Sequence, residues 1–169
     1  MKKSKVLILI ALIVCFVITI VVGISILTAY KLQSPSDIYA QFDEDYQQLD
    51  EIAEYLNSME NDSITITWGK PYMIVDFGEE KEFENREIKK SVLTLFTKGY
   101  IRIEKTRNTV NFERWTNPIS GFAAGYAYNF SNEGTLDIQF LTKQQEMSVS
   151  EWYYYEDDYN EWRSRNSTE

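Results

Sequence analysis

Apolar residues run unbroken from Val6 to Ala29, and beyond Lys31 apolar and polar positions begin to alternate with regular periods. The run has no charge and no proline, and its only glycine is Gly23. Coiled as a helix, its 24 residues reach about 36 Å, enough for a hydrocarbon core of roughly 30 Å. Lys2, Lys3 and Lys5 crowd its N-terminal side, and Lys31 stands alone past the other end. The positive-inside bias therefore predicts a cytoplasmic N-terminus, with residues 31–169 outside.

The rival is a cleaved signal peptide, whose apolar core is about 7–15 residues and ends in a small-x-small site. Here Leu27-Thr28-Ala29 has a bulky first residue, and Gly23-Ile24-Ser25 falls inside the run. The expectation is an uncleaved single-pass signal-anchor over 6–29 in the cell membrane. A basic cytoplasmic stub (1–5) precedes it, and a short linker (30–36), an extracytoplasmic domain (37–155) and a polar tail (156–169) follow.

In the domain, Ser34-Pro35-Ser36-Asp37 reads as a helix start with a capping box. Ile38, Phe42, Leu49, Ile52, Ala53, Leu56 and Met59 then recur at helical spacing, predicting a helix over 35–60. Asp43, Glu44 and Asp45 are assigned to its polar face. Ile64, Ile66 and Trp68 alternate with threonines as a half-buried strand. Gly69-Lys70 turns with glycine first, and the chain returns over 72–77. A second helix is expected over 81–98. It is led by acids and closed by Gly99, with a strand over 91–97 as the alternative.

From Tyr100 the period is two. Ile101 and Ile103, Val110 and Phe112, the segment 122–130, Leu136 to Phe140 and the segment 147–155 read as five successive strands. The predicted class is α+β, with two helices packed on one face of a mostly antiparallel sheet of about seven strands that is open to curling. The tail is expected to fray, with Trp162 able to fold back.

One strand has unequal faces. Phe122, Ala124, Tyr126, Tyr128 and Phe130 are bulky, while Ala123, Gly125, Ala127 and Asn129 leave a nearly bare strip. A helix is expected to seat on that strip, with close approach of a ligand as the alternative. That leaves the aromatic parity, together with Trp152 and Tyr154, as a candidate surface. Such residues beside carboxylates stack on sugars or anchor a protein partner. Tyr126, Tyr128, Trp152 and Tyr154 are the candidate binding residues, with Tyr159 and Trp162 nearby. Lys98, Arg102, Lys105, Arg107 and Arg114 form a basic island, from which Arg102 and Arg107 are taken as candidates for an anionic partner.

Charge and composition narrow the chemistry. The formal charge is −9, and setting aside the three N-terminal lysines takes it to −12, which disfavours nucleic acid. There is no histidine, and the one cysteine, Cys15, lies inside the apolar run. The domain thus folds without disulfides and cannot build a Ser-His or Cys-His catalyst or a zinc site. No cofactor and no metal is expected. A two-carboxylate hydrolase stays open, with Asp76 the most suggestive acid. The favoured function is a non-enzymatic module that binds a protein partner or envelope polymer. The alternatives are a carboxylate-dependent envelope glycan hydrolase and an accessory subunit paired through its anchor helix. Three Asn-x-Ser/Thr triplets, at Asn61, Asn129 and Asn166, matter only in a glycosylating host.

Overall fold

A computed structural model describes residues 35–70, 72–117, 121–131 and 134–166. The run 6–29, its lysines and Ser34 lie outside them. Among the described residues, no helix is long and apolar enough to cross a membrane. The compact unit extends from Ile38 to Glu169.

Helix α1 spans Pro35–Asn57. Proline suits its first turn, where an N–H has no partner to lose. Its predicted stripe is buried at Phe42, Leu49, Ile52, Ala53 and Leu56, with Ile38 and Met59 at the margins. Strands β1 (Ile64–Thr67) and β2 (Met73–Val75) pair antiparallel. The turn between them differs from expectation. Lys70 N–H donates to Thr67 O at 3.1 Å, so Gly69 (φ 82°) is the third residue of the turn and Trp68 the exposed second.

The second helix is shorter than predicted. Glu79–Lys81 is strand β3, paired with β2, and helix α2 is Arg86–Thr97. Asp76 (φ 39°) and Gly78 (φ 97°) fold the chain back at Val75 before any helix can start. The acids of 79–80 therefore lie along a sheet edge, where charge deters pairing with another chain. The signal missed was Asn85, whose side chain accepts from Glu87 N (2.9 Å) and Ile88 N (3.3 Å) and caps α2. The other end is as read. Gly99 (φ 101°) donates to Phe96 O, and Tyr100 N–H donates to Leu95 O, closing the helix in a Schellman pattern.

The remaining strands are β4 (Arg102–Lys105), β5 (Thr109–Asn117), β6 (Phe122–Asn129), β7 (Leu141–Glu146) and β8 (Trp152–Asp158), followed by helix α3 (Tyr159–Asn166). They complete an eight-stranded sheet in the order β3-β2-β1-β4-β5-β6-β8-β7, with all pairs antiparallel. The count is thus one more than the seven expected, and the end of the chain is no simple meander. The predicted strand at 136–140 has no ladder. Its alternation is genuine, since Leu136 is buried, but the segment lies across the sheet instead of joining it. Asp137 N–H donates to Thr109 Oγ1 (3.0 Å) and Asn129 Nδ2 to Thr135 O (3.2 Å), which tie it down. The edge strand is β7, formed by the residues that connect the last two strands read from the sequence. The expected frayed tail is ordered as far as α3, with Asp158 Oδ1 accepting from Asn160 N and Glu161 N.

Residues of α1, α2 and one face of the sheet share a single buried cluster. That face is the aromatic one. Phe42 lies 5.4 Å from both Tyr126 and Trp152, ring centre to ring centre. Trp115 meets Tyr126 at 6.0 Å and Tyr154 at 6.3 Å. The helix expected on the bare strip sits on the opposite parity, because a narrow apolar stripe needs large facing side chains to exclude voids. A smaller cluster of Ala127, Leu136 and Tyr155 forms on the second face, beneath the 134–141 segment. This explains why β8 is aromatic on both parities: it is covered on both sides.

Candidate functional site

A bulge in β5 sets the polar geometry. Its register with β6 slips between Glu113 and Trp115, opposite Gly125 and Ala124. The extra residue lets Arg114 and Trp115 both join the helix side. Arg114 Nη1 reaches Asp45 Oδ2 at 3.1 Å, and its guanidinium lies 5.0 Å from the Tyr100 ring centre. Glu113, one residue earlier, is left on the second face.

On the helix side, Asp45 gathers three groups. Lys98 Nζ donates to Oδ1 at 2.5 Å, and Arg114 and the Tyr100 hydroxyl (2.9 Å) share Oδ2. Gln48 Oε1 takes a second bond from Lys98 at 3.1 Å. Asp45, read from the sequence as part of the polar face of α1, has a side chain only 3% exposed. It stands three residues after Phe42 and four before Leu49, inside the apolar stripe. Burial and the Asp45 carboxylate push the Tyr100 hydroxyl far above its ordinary range. With every group satisfied, this network clamps α1 to the end of α2 and to β5.

The second face holds a different set. Arg102 and Glu113 are register partners, and Arg102 Nε donates to Glu113 Oε2 at 2.8 Å. Arg102 Nη2 also lies 3.7 Å from Glu104 Oε2. Gly125 faces Glu113 on one side and Tyr155 on the other, and Ala123 faces Asp157. Glu113 and Asp157 therefore flank a floor of Ala123 and Gly125 from strands on either side, roughly 10 Å apart in backbone spacing. Glu113 is 7% exposed and Tyr155 is fully buried. Asn111, 6% exposed, bonds Tyr155 through its side chain, while its Oδ1 has no hydrogen-bond partner among the described residues. Burial, then the Glu113 charge, push Asp157 up to about 6, against the opposing pull of Arg102.

The shift of Asp157 has a measurable consequence. The folded chain holds this proton more tightly than the unfolded chain, so its contribution to stability is full below about pH 4 and is lost as pH rises through about 6. Asp157→Asn should remove that loss. The gain of the variant over wild type in urea midpoint should grow between pH 4.5 and 7. A constant difference would show that Asp157 titrates normally.

The candidate binding residues are dispersed. Tyr126, Trp152 and Tyr154 are core residues under α1, which corrects the reading of an exposed aromatic face. Tyr126 donates to Ile38 O at 2.8 Å. Tyr128 is half-buried and donates to Glu151 Oε2 at 3.1 Å, and burial pushes its hydroxyl up to about 12. Arg102 belongs to the second-face cluster, whereas Arg107 is exposed at the β4–β5 turn. The basic island does not exist as a surface. Lys98 and Arg114 serve Asp45, and Lys105 is buried with its ammonium on Met59 O at 2.6 Å. Asp76 is exposed. Bonds from Asn61 Nδ2 (2.7 Å) and Ser63 N (3.1 Å) hold its carboxyl below the usual range, the opposite of what a proton donor needs. The triplet at Asn129 is closed to modification, since Asn129 is buried and bonded to Ser131.

Glu113, Asp157, Asn111 and Tyr155 were not singled out as site residues. The bare strip marked the place, but only the strand order brings β4, β5 and β8 around it. Comparison with protein-family models, curated proteins and solved structures finds no match to this chain.

Proposed function

We propose that this chain is a non-catalytic binding module, anchored in the membrane by residues 6–29, with its α+β domain outside the cytoplasm. It meets a protein partner or an envelope polymer through the Arg102–Glu113–Asp157 face of the sheet. The observation that carries this reading is the cluster itself. The Arg102–Glu113 ion pair and Asp157 flank the small residues Ala123 and Gly125 on the sheet face opposite the main core. At Asp45 the cations and the Tyr100 hydroxyl close on a buried carboxylate, whereas Arg102 on this face is 44% exposed beside Glu113. The absence of histidine and of any cysteine beyond Cys15 argues against the commoner hydrolytic machinery.

The test has two parts. Protease added to intact cells should digest residues 31–169, and the detergent-extracted chain should retain a partner or polymer that Arg102→Glu releases. An untouched domain would remove the topology, and equal retention by the variant would remove the site.

A second reading is a glycan hydrolase. It is favoured by the placing of Glu113, ion-paired with Arg102, across β6 from Asp157, whose proton is held to about 6 as a general acid requires. Loss of envelope glycan hydrolysis in both Glu113→Gln and Asp157→Asn would replace the binding reading with this one.

A further inference from the structure

We infer that the β1–β2 turn and the outer row of α2 rest on the lipid–water interface of the bilayer that holds the anchor. This rests on the anchoring of residues 6–29 proposed above and adds a second contact to it. Among the described residues, four large apolar side chains are exposed: Trp68, Phe77, Leu93 and Tyr159. They sort by their surroundings. Phe77 follows Asp76 and precedes Glu79 and Glu80, and Tyr159 follows Glu156, Asp157 and Asp158. Trp68 and Leu93 lie in the stretches 64–75 and 88–103, and neither stretch holds one of the chain's 26 acids.

The two stretches meet. Trp68 N–H donates to Ile101 O at 2.9 Å, and Thr67 is the register partner of Arg102. Cations stand beside the apolar pair. Lys70, two residues from Trp68, holds its ammonium 5.9 Å from the Tyr72 ring centre. On α2, Arg86, Lys90, Leu93 and Thr97 recur at helical spacing and are all exposed, on the side opposite the buried Ile88, Val92 and Leu95. Among the described residues Lys70, Arg86 and Lys90 join no salt bridge, whereas Lys98 and Arg102 are committed to Asp45 and Glu113. Exposed indole and phenol rings settle at headgroup depth, and lysine and arginine reach lipid phosphates while their stems cover apolar surface.

The tether selects the bilayer over a separate protein. Five residues, 30–34, lie between the apolar run and Pro35, so the linker reaches at most about 18 Å. The membrane is always near, and the loss of free translation has already been met by the anchor. A contact made of two apolar side chains and three cations is then enough. A soluble protein would have to meet that loss itself, which takes roughly 800 Å² on each side.

The experiment uses the full chain, labelled with fluorotryptophan, in phosphatidylcholine nanodiscs and read by fluorine NMR. Trp68→Phe assigns the Trp68 resonance. A nitroxide on the lipid headgroup should broaden that resonance severalfold more than the resonance of buried Trp152, and a water-soluble gadolinium chelate should barely reach it. Lys70→Glu sets a carboxylate beside the ring and should cut the nitroxide broadening roughly threefold. Phe77→Ala should change nothing. All three side chains are exposed, so an unmoved Trp152 resonance reports that each variant is folded. Equal broadening of Trp68 and Trp152, or no response to Lys70→Glu, would overturn the proposal. Shielding from the chelate without nitroxide broadening would assign the patch to a second copy of the chain. Trp68 open to the chelate and untouched by the nitroxide would leave the patch to a separate protein. An alkaline wash of phosphatidylcholine vesicles separates the two readings. Release of the chain would remove the anchor and this contact with it, while retention with Trp68 open would remove this contact alone.

Discussion

Asp45→Ala is expected to destabilise the domain by about 3–5 kcal/mol, measured as a loss of unfolding free energy in urea. The size follows from what remains behind. Lys98 and Arg114 both aim their charges at this carboxylate, and the Tyr100 hydroxyl donates to it. Alanine leaves two cations and a buried phenol without their acceptor, and their desolvation has already been incurred. Glu44→Ala, on the exposed neighbour, should stay within about 0.5 kcal/mol. Equal effects at the two positions would show that the network carries no more weight than a surface ion pair. Replacing Asp45 together with both cations by apolar residues of similar volume should recover much of the loss, because an intact buried charge network is often no more stabilising than apolar packing.

Gly125→Ala is the second large effect. A Cβ added there would lie 1.9 Å from the Phe112 carbonyl oxygen and 2.9 Å from its carbon. Both are backbone atoms of the neighbouring strand, so no side-chain rotation relieves the clash. The strands must separate at the β5 bulge, which would also disturb the placement of Glu113, Arg114 and Trp115. The expected cost is more than about 3 kcal/mol, near the limit of what a marginally stable domain tolerates. Gly134→Ala is the control. Its φ of 68° costs an alanine roughly 1–2 kcal/mol, but nothing lies within 4 Å of the new Cβ. If the two variants melt alike, the strands are free to move apart and the close approach carries no constraint. Either result also bears on function, because Gly125 is part of the floor between Glu113 and Asp157.

These two positions belong to one design. The bulge sends Arg114 to the helix side, where it completes the Asp45 clamp, and leaves Glu113 on the second face with Arg102. A single slip in register thus separates the buried Asp45 network from the Arg102–Glu113 pair on the second face. The same few residues of β5 hold the helix layer in place and supply half of the proposed binding face.

Local signals in the sequence determined the class and most of the layering. Helical spacing from Ile38 to Met59 placed α1 and named its buried stripe. Gly99 ended α2, and alternation at Ile64, Ile103 and Phe112 marked strands with the correct inward parity. The bulky and bare sides of β6 were visible as well. These properties depend on neighbours within a few positions, where periodicity and turn chemistry act directly. Which side of β6 the helices cover, which strand lies beside which, and whether Leu136–Phe140 pairs or merely covers were decided by tertiary structure. Each depends on partners far apart in the chain, and the polar–apolar pattern is the same either way. The basic island failed for that reason, since four of its five cations found acceptors on α1, β4, β5 and at Met59, while Arg107 stays exposed at a turn. The site failed likewise, because Glu113 and Asp157 reach one face only when β6 places their strands on either side of it.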